Sequence, residues 1–194
     1  MKRYLIIMIG LITVMSAATD VWGQDYEALR LKQWSAQEPL SWDDLSVRHL
    51  PDSLDEYARI VMVNKEIGRF RGKMKWPYKG RVRTACVNRI LSWYDPDHCD
   101  EWTLRYLRVL FDMEEYEIRL FDLINLGLVP EETRTTPYKM ICFDYLDVDW
   151  DSVPSSLFMK NSRFGRDTTV ILEYEQKYRA LLDSIDLDRL LPVR

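Results

Sequence analysis

Glu114 and Glu117 stand three residues apart inside DEWTLRYLRVLFDMEEYEIRLFDLINLG, the stretch from Asp100 to Gly127. On a helix that spacing puts both carboxyls on one face. Such a pair serves as a general acid and base, or as a seat for a hard cation. Buried carboxylates also need partners, and arginines from a neighbouring sheet would supply them, which is the plainer reading. The two histidines, His49 and His98, lie at no ligand spacing with each other. Three cysteines, Cys86, Cys99 and Cys142, are an odd number for an oxidising compartment. Cys86–Cys99 closes the shortest loop and is the expected disulfide; burial of all three as small hydrophobes is the alternative. Cys86, His98 and Cys99 match no zinc spacing. Cys99 beside His98 in sequence is not the geometry that a nucleophile and base require. No glycine-rich phosphate loop is present. The residue types therefore predict no metal site and no cofactor, and leave Glu114 and Glu117 as the only weak catalytic candidates.

The element that must position those carboxylates is the longest helical pattern in the chain. At about 100° per residue, Trp102, Tyr106, Val109, Leu110, Met113, Ile118, Leu120, Phe121 and Ile124 sweep out a very broad apolar arc. Arg105, Arg108, Asp112, Glu115, Arg119 and Asp122 fill the narrow arc left over, and Glu114 and Glu117 fall inside the apolar one. A face that wide belongs to a central helix touched on most sides. Asp97 or Asp100 would cap its start, and Gly127 with Pro130 would stop it.

Before it, Tyr57 to Ile67 is rich in β-branched residues and reads as a strand. Arg69 to Trp76 alternates strictly, with Arg69, Arg71, Lys73 and Lys75 on one side and Phe70, Met74 and Trp76 on the other. Pro77 to Gly80 is a turn, and Arg81 to Ile90 reads as a further strand. The basic face so formed would suit an anionic glycan or an acidic protein. The plainer alternative is ordinary surface charge, or neutralisation by Asp144, Asp147, Asp149 and Asp151. Asp25 to Trp34 reads as a short helix or an extended lead-in. Ser41 would cap a turn that drops Trp42 and Leu45 into the core. Tyr138 to Tyr145 is a strand or short buried segment; Pro154-Ser155-Ser156 and Asn161 to Asp167 read as loops. Thr168 to Ile185 reads as a second, C-terminal helix. The fold class expected is α+β, a small antiparallel sheet packed on the long helix.

Composition sets the compartment. The 194 residues are 47% hydrophobic and 30% charged with a net charge of −4, values ordinary for one domain that give no argument for nucleic acid. Lys2 and Arg3, the apolar run Tyr4 to Met15 and small Ser16, Ala17 and Ala18 read as a signal peptide over residues 1–23, cleaved after Ala18 or Gly23. Asp20 closes that run too early for a membrane anchor, no cysteine follows it for lipidation, and no later run would span a bilayer. The expectation is one domain over 24–194, exported to the periplasm or beyond, and not a lipoprotein.

Two stretches carry a family resemblance. Pro39-Leu40-Ser41-Trp42-Asp43-Asp44-Leu45 resembles the P-L-T-W-D-D-F signature of a secreted bacterial family of uncharacterised proteins inferred to be zinc proteases. A later helix of that family reads approximately L-x-H-E-Q-x-H-F-D-I-A-E-x-x-A-R. Laid on this chain, Phe111, Asp112, Glu115 and Arg119 match it in type and spacing. The resemblance implies a zincin-like scaffold, whose chemistry needs two His at i and i+4 to bind zinc and a Glu to activate water. Here those positions are Tyr106, Leu110 and Leu107. The family's later His-Gly element corresponds to Phe164-Gly165, again without the His. The resemblance therefore implies a degenerate member, non-catalytic, with a binding or structural role in the bacterial envelope. A hydrolase with an altered carboxylate site at Glu114 and Glu117 is the alternative.

Overall fold

The computed structural model describes residues 30–51, 57–69, 80–129 and 153–185. The expected signal peptide, the basic positions Arg71, Lys73 and Lys75, Cys142 and the acidic stretch from Asp144 to Asp151 lie outside them. The chain is α+β, with two small sheets packed against one long helix. In order come β1 (Leu31–Gln33), a 3-10 turn (Trp42–Asp44), β2 (Ser46–Val47), β3 (Ala58–Arg59), β4 (Met62–Arg69), β5 (Arg81–Asn88) and β6 (Trp93–Tyr94). Then come α1 (Glu101–Asn125), α2 (Pro154–Asn161) and α3 (Thr168–Asp183).

The first sheet has the order β1-β5-β4 and is antiparallel throughout, with an irregularity between Glu66 and Gly68. The second has the order β2-β6-β3, in which β2 runs parallel to β6. The single strand expected over Tyr57 to Ile67 is divided between them. The cause is a change of distant partners at Val61: its N–H donates to the Oγ of fully buried Ser92, and its carbonyl accepts from Asn88 N–H. That exchange of partners moves the chain from one sheet to the other. The lead-in to Trp34 is extended over its described end, Leu31–Gln33, and pairs with β5.

Ser41 begins the 3-10 turn as expected, held by Asp44, whose carboxylate accepts from both the Ser41 N–H and Oγ. Leu45 enters the core, and Trp42 stacks on Tyr94 with ring centroids 4.2 Å apart. Asp100 is the residue that caps α1, accepting from Thr103 N–H at 2.9 Å. At the other end Gly127 takes φ +71°, and the Leu128 N–H reaches back to the Leu123 carbonyl. This six-to-one closure uses a left-handed residue to satisfy carbonyls the helix would leave open.

One expectation is corrected. Pro154-Ser155-Ser156 is not loop but the first turn of α2: proline at a helix start lacks only an N–H that would be unpaired anyway. The charged arc of α1 is partly buried. Glu115, Arg119 and Asp122 are buried along with the apolar arc, so α1 is covered on both faces. Its apolar side forms the main core with Leu40, Met62, Val87, Phe158, Ile171 and Tyr178.

Candidate functional site

The charged arc of α1 faces an incomplete strand edge. β1 is short: it pairs β5 over Cys86, Val87 and Asn88, and just beyond it the Trp34 N–H reaches the Ala85 carbonyl. Nearer its start, the β5 N–H groups of Arg83 and Ala85 donate to carboxylates of α1: Arg83 to Asp122 Oδ2 at 2.8 Å, Ala85 to Glu115 Oε2 at 2.7 Å. Strand residues two apart point to the same side, and positions 115 and 122 are two helical turns apart, so both pairs form together. The helix thus supplies the acceptors a neighbouring strand would have given. Glu115 also accepts from Thr84 Oγ1 and from Arg119 Nε at 2.8 Å. Asp122 holds the Arg83 guanidinium as well. Arg119 lies over the Trp34 ring and donates to the Ile185 carbonyl. Trp34 Nε1 donates to Asp112 at 2.7 Å; burial pushes that carboxyl above its ordinary value, with the Trp34 hydrogen bond pulling it down. Arginine pairing is thus seen on Asp122, from Arg83 of the sheet, and on Glu115, from Arg119 of α1 itself.

Glu114 lies beside that network. Glu114 is half-buried. Burial, then the negative charges of Glu117 and Glu115, push its carboxyl up to about 7, against a downward pull from Arg83. A carboxyl poised near neutrality is what general acid–base work requires, and it is equally what crowding of three acids on one helical segment produces.

The three positions where the resemblance places zinc ligands and a general base are packed. Tyr106, Leu107 and Leu110 are 9%, 2% and 6% exposed and belong to the main core. Tyr106 stacks on Phe158 at 5.3 Å, and burial raises its phenol far above the ordinary tyrosine value. Gly165, at φ +89°, lies so close that a Cβ there would stand 3.1 Å from the Tyr106 ring. Arg163 and Phe164 before it also have positive φ, and the Phe164 side chain is exposed.

The expected Cys86–Cys99 disulfide is not formed. Cys86 is fully buried in β5, whereas Cys99 carries a free thiol that donates to the Tyr57 carbonyl. Burial raises the Cys99 thiol above its ordinary value, with nearby Asp95 and Asp100 adding to the rise, which disfavours the nucleophilic thiolate. Of the basic face only Arg69 is described. It pairs with Glu66 at 3.0 Å, and Glu66 also holds Arg81 at 3.2 Å. At the described end of that face, Glu66 is thus shared by two arginines within the sheet.

The sequence reading missed one constellation. Both histidines converge on Asp95 and Asp97. The parallel register Ser46–Trp93 and Val47–Tyr94 continues into Arg48 N–H on the Tyr94 carbonyl, and brings the loop after β2 against the loop after β6. Asp95 is fully buried and accepts from Leu50 N–H at 2.9 Å, Asp97 N–H at 3.1 Å and His98 Nδ1 at 3.1 Å. Burial pushes its carboxyl up, but those three donors outweigh it and hold Asp95 below the usual carboxylate value. The His98 ring stacks on Tyr57 at 4.2 Å. His49 Nδ1 lies 3.1 Å from Asp97 Oδ2, and ligand atoms of His49, Asp95 and Asp97 all fall within 4.8 Å of one another. His49 and Asp97 are 48 positions apart, a separation no spacing rule covers.

No protein-family model matches this chain, and neither a curated protein nor a solved structure matches it.

Proposed function

We propose that this chain is an exported, non-catalytic protein on a zincin-like scaffold, serving a binding or structural role in the bacterial envelope. The observation that carries the reading is the close packing at Tyr106, Leu107 and Leu110. Leucine offers neither a metal lone pair nor a transferable proton, and the one phenol there is held protonated by burial. A site built for water activation keeps an open coordination position; this one is filled by Phe158 and Gly165. The placement of Gly165 lends further support, because Phe164-Gly165 is where the resemblance puts the family's His-Gly element. Of that element Gly165 lies against the residue at the first ligand position, while the Phe164 side chain is exposed.

The test is metal content resolved by position. A chain carrying His49→Ala and Asp97→Asn, purified without chelator, is expected to hold no stoichiometric zinc. One tightly held zinc per chain in that variant, together with peptide hydrolysis that a chelator abolishes, overturns the proposal.

The raised Glu114 carboxyl favours a second reading, a hydrolase using Glu114 and Glu117. Loss of a measured hydrolysis in Glu114→Gln without loss of stability would establish it over the first.

A further inference from the structure

We propose that His49, Asp95 and Asp97 form a binding site for a first-row divalent cation of the zinc class, separate from α1. The site stands on three observations. The first is ligand chemistry. One imidazole nitrogen with two carboxylates is a donor set of borderline softness, which zinc and its neighbours accept, whereas magnesium and calcium take oxygen alone. The second is distance. Donors on a tetrahedral zinc stand about 3.3 Å apart, given metal–ligand bonds of about 2.0–2.2 Å. His49 Nδ1 and Asp97 Oδ2 already stand 3.1 Å apart, and the Asp95 carboxylate completes a set within 4.8 Å. Closing the remainder takes rotation of His49 and Asp97, whose side chains are 70% and 72% exposed. Their exposure leaves room for water at the fourth position.

The third is support behind the ligands. Asp95 is not a loose surface acid: the loop after β6 is fixed by Asp95 N–H on the Tyr57 carbonyl and by His98 and Cys99 N–H on the Asp95 carbonyl. Its carboxylate is oriented by the Leu50 and Asp97 amides and by the His98 ring, itself stacked on Tyr57. Partners behind the ligands set their orientation and sharpen affinity in metal sites. Without a cation, the His49–Asp97 contact is an exposed ion pair of small worth. With one, the ion neutralises two adjacent carboxylates and ties the loop after β2 to the loop that leads into α1. Three protein ligands, two of them exposed, give a clamp rather than a closed structural centre.

Titration of the full, chelator-treated chain with zinc chloride by calorimetry tests the site, with cobalt(II) absorption as a report of nitrogen and oxygen coordination. One equivalent of zinc is expected to bind and to raise the melting temperature, since an ion that binds only the folded state stabilises it. His49→Ala and Asp97→Asn should each weaken binding at least about tenfold and abolish the thermal shift, and His98→Gln should weaken it by about 10–100-fold through loss of support to Asp95. Both ligand substitutions fall on exposed side chains, so unchanged circular dichroism will verify the fold. No binding at millimolar zinc, or affinity unchanged in the His49→Ala, Asp97→Asn double variant, overturns the site. Because it shares no residue with α1, its failure leaves the reading of Tyr106, Leu107 and Leu110 untouched.

Discussion

Glu115 and Glu114 are adjacent in sequence and opposite in circumstance. Glu115 is fully buried and accepts from Thr84, Ala85 and Arg119. Glu115→Ala would strand a strand amide, a hydroxyl and a guanidinium without their acceptor, and is expected to cost about 3–5 kcal/mol in urea unfolding. Glu115→Gln, which keeps shape and one acceptor, should cost less. Glu114 has the reverse problem. Its carboxyl is raised from the ordinary 4.5 to about 7, so between those values the folded state holds more proton than the unfolded one. Its stabilising contribution is complete below about 4.5 and is lost as pH rises through about 7. Glu114→Gln should flatten the slope of stability against pH in that window and gain about 1–3 kcal/mol at pH 8, the part exposure of the group limiting the gain. A slope unchanged in the variant would show that Glu114 ionises freely. The spacing of Glu114 and Glu117 is legible in the sequence. Arg119 four residues after Glu115 is equally a local pair. Which acids accept from strand amides is not legible, because Glu115 and Asp122 are selected by β5, a tertiary neighbour.

At the scale of elements, ends and caps were readable because their chemistry is local. Asp100 before α1 and Gly127 after it both act within a few residues of themselves. The two glycines with unusual φ separate local conformation from packing. Gly127→Ala meets nothing within 4 Å and should cost only the left-handed backbone penalty, about 1–2 kcal/mol. Gly165→Ala combines that penalty with a 3.1 Å approach to Tyr106, and should cost about 2–3 kcal/mol. Equal shifts in denaturation midpoint for the two would mean that α1 yields at Tyr106 and the approach is not tight. The break between β3 and β4 was hidden, since β-branched residues continue across it and the deciding partner, Ser92, comes 31 positions later. The helix at Pro154 was hidden for a different reason: its eight residues are too few for a period to declare itself.

For the whole molecule, α1 joins two interiors, an apolar core on one side and a charged layer against β5 on the other. The described end of the basic stretch is paired through Glu66, and the anionic glycan or acidic protein expected from the sequence is to be tested at Arg71, Lys73 and Lys75. Charge reversal at Arg71 and Lys73 should then remove salt-sensitive retention on an anionic glycan column; retention that survives the change discards that partner. The sequence by itself determined the class, the long helix with its caps, and the absence of ligands at Tyr106, Leu107 and Leu110, because periodicity, capping and residue chemistry are local properties. Only the tertiary structure decided that the charged arc of α1 is buried, that Cys86 and Cys99 stay apart, and that His49 meets Asp95 and Asp97. Each of these depends on which distant backbone amides and side chains are brought into reach, above all by the parallel register of β2 on β6, and no pattern along one strand or helix encodes its partner.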